Sequence, residues 1–80
     1  MAKFLDSHSL KGVNEETLRK VHESPKDEFG ITHCNLIYNK EEDRLFCLLD
    51  APNLEAVVKH HEKAGFKCEW ITEVKTTGTS

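Results

Sequence analysis

Apolar and polar positions change period repeatedly along this chain, and each change marks a boundary between elements. "AKFLDSHSL" (residues 2–10) alternates as a strand does, with Phe4, Asp6 and His8 on one face and Leu5 and Ser7 on the other. Lys11-Gly12-Val13 turns the chain. Asn14 is placed to cap a helix, Glu15 and Glu16 complement its dipole, and Val13 can staple onto Leu18. Leu18, Val21 and His22 follow at helical spacing and define its inner face. Pro25 pushes Ser24 out of the helical region, so the helix breaks there. Ser24 is then expected to cap a short second turn with Pro25 at its first position, closed by Gly30. "ITHCNLIY" (31–38) and "RLFCLLD" (44–50) read as two strands joined by the charged loop "NKEED". The second is nearly all apolar, as a central strand covered on both faces would be. "APN" leads into a second helix capped by Asn53 and closed by Gly65, with Leu54, Val57, Val58 and His61 as its core stripe. "CEWITEV" (68–74) is a last strand, and residues 76–80 form a polar tail expected to fray.

The order β-α-β-β-α-β in so short a chain predicts an α+β, ferredoxin-like sandwich over residues 1–75. Its sheet would be four-stranded and antiparallel, with both helices on one face. The strands carry too many apolar residues for the other face to be solvated. A second copy of the chain is the simplest cover, so the expectation is a homodimer with facing sheets, a dimeric α+β barrel.

Eighty residues lie near the lower limit at which one core is stable without a disulfide, a metal or a partner. A hydrophobic content of 38% with 31% charged residues fits a folded globular chain. A formal net charge of -3 argues against nucleic-acid binding, which rests on neutralising phosphates. No apolar run is long enough to span a membrane, and no signal-peptide core is evident, so a cytoplasmic protein is expected. The 3 cysteines include no CxxC pair, and their odd number excludes a complete disulfide framework. The 5 histidines are many for this length and raise the prospect of a metal.

Asp6 and His8 share a face of a central strand, where a carboxylate and an imidazole are costly unless paired, hydrogen-bonded or metal-bound. The alternative is an Asp-His hydrogen bond bracing the first loop. His61 lies in the core stripe of the second helix and can pack as a neutral imidazole, while His60 lies about 100° away at its edge. One of the two is therefore expected to face Asp6 and His8. His33 and Cys34 point to opposite faces, so at most one joins any given site. Cys47, between Phe46 and Leu48, reads as a core thiol or a ligand, and Cys68 can reach a site at the helix end. His22 reads as a packed or capping imidazole. Such a set of imidazole, carboxylate and thiol suits Ni(II), Cu, Zn or Fe, and spacing alone does not choose among these divalent transition metals. No catalytic triad order, phosphate loop or paired-carboxylate spacing is present, which points away from an enzyme.

The segment "LFCLLDAPNLEAVVKHHEKAGFKCEWITEV" resembles a family of small nickel-binding proteins formerly catalogued as a domain of unknown function. The matching features are the Phe46-Cys47-Leu48 run, the Asp50-Ala51-Pro52 turn, and a helix carrying His60 and closing on Ala64-Gly65. A final strand with Ile71, Glu73 and Val74 follows. "FLDSH" and "FGIT" (29–32) resemble the family's first strand and its entry to the second. The resemblance covers about residues 3 to 75 and implies a ferredoxin-like fold of the dimeric barrel class, with nickel binding in some members. The chain departs from it at Ser24-Pro25, at the double histidine and at Lys67-Cys68. The family match favours His60 over His61 as the residue turned toward Asp6 and His8, whereas the apolar stripe favours His61; the match is preferred here. The leading expectation is a non-catalytic nickel-buffering or nickel-sensing protein using His8, Asp6 and His60 or His61, with a cysteine optional. The alternative is a barrel enzyme or small-ligand protein in which His8 or His61 is a general base oriented by Asp6.

Overall fold

The computed structural model describes residues 2–78; Met1 and the last two residues of the expected polar tail lie outside it. Period-2 alternation gives β1 (Ala2–His8), β2 (Thr32–Asn39) and β4 (Trp70–Val74), a near-continuous apolar run gives β3 (Arg44–Ala51), and 3.6-residue spacing gives α1 (Glu15–Glu23) and α2 (Leu54–Ala64). The strands form one antiparallel sheet in the order β2-β3-β1-β4, so β1 and β3 are central. This is the ferredoxin-like arrangement. Phe4 on β1, Leu45 and Leu49 on β3, Leu18 of α1 and Val57 of α2 meet in a single core on the helix side.

Capping fixes where the helices begin. The Asn14 side chain accepts from the Thr17 N–H, and Asn53 accepts from the Ala56 N–H at 2.9 Å. Gly65 closes α2 in the left-handed region (φ 80) and hands its N–H back to Glu62 and His61 carbonyls. Because the Asn53 bond sets the start of the helix that carries His61, Asn53→Ala is expected to cost about 0.5–2 kcal/mol. Chemical denaturation measures this.

Three local expectations are corrected. Ser24 opens no second turn: Pro25 holds it extended, and its hydroxyl donates back to the Lys20 carbonyl. The loop is organised by Asp27, whose Oδ1 accepts from the N–H groups of Phe29 and Ile31. On α2 the buried residues are Ala56, Val57 and His61, with Leu54 and Val58 exposed. At about 100° per residue the buried arc runs from Ala56 through Val57 to His61, and Leu54 and Val58 fall beyond its edge. His22 is likewise exposed rather than packed inside α1.

Register puts Leu5, Ser7, Ile37, Phe46, Leu48 and Trp70 on the sheet face away from the helices. Ile37 and Trp70 are among the exposed large hydrophobic residues, and Phe46 is half-buried with its ring near Trp70. Arg44 spans this face to Glu69 and reaches Ser7.

Candidate metal centre

Two central strands and one helix converge on a single buried polar group. Asp6 and His8 stand two residues apart on β1 and so share its helix-side face. Cys47 is the direct register partner of Asp6 on β3. His61 descends from α2 onto the same spot. Asp6, His8, Cys47 and His61 are all buried and offer ligand atoms within 4.8 Å of one another. His61 Nε2 lies 3.2 Å from Asp6 Oδ2, His8 Nε2 lies 3.7 Å from Asp6 Oδ1, and Cys47 Sγ lies 3.6 Å from His8 Nε2.

The backbone fixes the chemistry of both imidazoles. His8 Nδ1 is 2.8 Å from the Ser9 carbonyl oxygen, and His61 Nδ1 is 2.8 Å from that of Val57. A carbonyl only accepts, so Nδ1 carries a proton in each ring and Nε2 faces inward. In the neutral ring that nitrogen presents a bare lone pair. Two imidazoles oriented by backbone carbonyls match the way metal-ligating histidines are held.

Asp6 is wholly buried, yet neither of its oxygens receives a hydrogen bond from the described residues. The 3.2 Å approach of His61 is an ion-pair distance without hydrogen-bond geometry. A buried carboxylate in that position needs a counter-charge. Either a proton or a cation can supply it. Burial disfavours charge on His61, but Asp6, with Cys47 and Cys68, outweighs it and pushes His61 up to about 12. Burial pushes the Cys47 thiol up to about 11, and burial also moves His8 down. Without an ion, the proton on His61 therefore balances Asp6. A divalent ion can take that proton's place, and a donor set of two imidazoles, a carboxylate and a thiol suits a borderline first-row metal.

The remaining candidates lie elsewhere. His60 turns away from Asp6 and His8, and its Nδ1 is 2.5 Å from Asp27 Oδ2. The geometry thus reverses the preference for His60: His61, at the Val57 edge of the buried arc, meets Asp6, whereas His60, between Ala56 and Val57, meets Asp27. His33 stacks near His60, with ring centroids 5.2 Å apart, and burial together with His60 pushes it down to about 4. Its Nδ1 is buried without a partner among the described residues. Cys68 is half-buried beside His61 and Ile71, outside the four-residue group. Sequence reasoning missed two residues. Phe66 packs on His8 with ring centroids 4.6 Å apart, and Asp27 anchors His60. Nothing in the spacing around Asp27 signals a partner 33 residues away.

A cavity of about 280 Å³ lies between the helices and the sheet, bordered by His8, Cys47 and His61 and, with them, by Asp27, His33 and His60.

A family model described as "Nickel responsive protein SCO4226-like" matches residues 4–74. The crystal structure of SCO4226 from Streptomyces coelicolor A3(2) is similar, with a TM-score of 0.76 and 26% sequence identity. That likeness covers 96% of this chain and 100% of the other. No curated protein matches the chain.

Proposed function

This chain belongs to the SCO4226-like family of nickel-responsive proteins, and from that premise we propose that it is a non-catalytic protein that binds nickel or a similar divalent ion for buffering or sensing. Asp6, His8, Cys47 and His61 would hold the ion. The observation that carries this reading is the buried Asp6 carboxylate, without a hydrogen-bond donor, facing two imidazoles whose Nδ1 atoms are tied to the backbone. A bound ion supplies Lewis-acid charge to that carboxylate. The general-base alternative is less favoured at His61, because a ring held protonated by Asp6 is a poor proton acceptor at neutral pH.

The direct test is titration of untagged protein with nickel, followed by elemental analysis. One equivalent bound to wild type and lost in His8→Ala supports the assignment; no uptake sinks it.

The reading includes a homodimer and a cytoplasmic setting. Three free thiols fit a reducing compartment, and no helix among the described residues is long and apolar enough to cross a membrane. Ile37, Phe46, Leu48 and Trp70 form an apolar sheet face that a second copy can cover. Wild type is expected to sediment at about 18 kDa, twice the chain mass of 9.2 kDa. Phe46→Glu should shift it to monomer by placing a charge in that face. A monomeric wild type at micromolar concentration would remove the dimer.

A further inference from the structure

A bare cation fills little of the cavity it would border. At about 280 Å³ the space approaches the smaller pockets that take organic molecules, roughly 300 Å³. His8, Cys47 and His61 line it, whereas the wholly buried Asp6 does not reach it. An ion held among the four would therefore be open to approach from the cavity side. The walls beyond are apolar, chiefly Leu18, Val21, Leu45 and Phe66.

Two features of the polar rim restrict what fits. Asp27 lines the cavity already bonded to His60, so this stretch of the rim offers an anion no unpaired positive charge. His33 lines the same cavity with a buried Nδ1 that has no partner and can accept a hydrogen bond. The apolar walls likewise disfavour a charged body. A neutral donor with an apolar body and one N–H satisfies both ends.

Resting on the metal reading above, we propose that the ion-loaded cavity takes a small neutral nitrogen heterocycle of the azole type. Its pyridine-like nitrogen faces the ion, its ring lies against Leu18, Val21, Leu45 and Phe66, and its N–H is received on the His33 side.

The test uses nickel-loaded protein with benzimidazole as probe and imidazole and benzoate as comparators. Calorimetry gives affinity, and the nickel ligand-field absorption reports coordination. Benzimidazole is expected to shift the absorption and to bind at least tenfold tighter than either comparator. Val21→Trp, which fills the cavity, should weaken benzimidazole at least tenfold with nickel stoichiometry unchanged. His33→Ala should weaken it several-fold with nickel affinity unchanged, and this variant decides the matter should Val21→Trp fail to fold. Benzoate or imidazole binding as tightly as benzimidazole overturns the proposal, as does an unshifted absorption. Equal benzimidazole affinity in wild type and His33→Ala overturns it too. Failure of wild type to take up nickel instead overturns the metal reading, on which this one rests.

Discussion

Replacing His61 by glutamine is expected to weaken nickel binding by more than about 100-fold, the upper range for losing even an outer partner of a metal ligand. The same change at His60 should cost less than about 10-fold, below the lower end of that range. The contrast follows from geometry: His61 Nε2 stands 3.2 Å from Asp6, while His60 Nδ1 is engaged with Asp27. Glutamine is chosen because it keeps a polar group near Asp6. Alanine would strand a buried carboxylate, and breaking a buried pair in this way costs about 3–5 kcal/mol, a large share of the roughly 5–15 kcal/mol available to a small domain. Calorimetric titration of the two glutamine variants decides the issue. Equal losses in both, or a larger loss at His60, would return the assignment to the family match.

Nickel affinity should also rise steeply with pH. Between about pH 6.5 and 8.5 it is expected to increase about tenfold per pH unit for each proton displaced. His61, pushed up to about 12, would release one proton to solvent as the ion takes its place. Cys47, pushed up to about 11, surrenders a second where it binds as thiolate. The slope therefore reports whether the thiol takes part. Calorimetry in buffers of different ionisation enthalpy counts the same protons independently. An affinity flat with pH would remove the exchange of proton for metal. The ion-free chain behaves differently. His61 has a folded value above its ordinary 6.5, so its pairing with Asp6 contributes fully below pH 6.5 and is lost as pH rises toward about 12. His33, held down to about 4, has the opposite sign: its contribution is present above pH 6.5 and lost as pH falls toward 4.

The fold was legible because its determinants are local. Asn14 and Asn53 cap where an amide side chain can reach back to a backbone N–H, Pro25 ends α1, and strand alternation assigns faces residue by residue. The pairing of Asp6 with His8 was legible for the same reason, since residues two apart on a strand share a face. The choice between His60 and His61 was not. It depends on the rotation of α2 about its axis, which is set by how Ala56 and Val57 seat on the sheet. A shift of the buried arc by less than one residue's rotation separates the two answers. The His60–Asp27 pair was hidden because it joins a loop to a helix through tertiary packing alone.

The carbonyls of Ser9 and Val57 that orient the two imidazoles belong to different halves of the chain. An ion gripping both rings would therefore staple the first strand to the second helix, and an unfolded chain offers no such grip. At an ion concentration a hundred times the dissociation constant, this linkage adds about 2.7 kcal/mol to the folded state. In a domain this small, that shifts the open fraction roughly a hundredfold. Resistance to proteolysis would then rise with metal supply, as cleavage of the open form tracks its population.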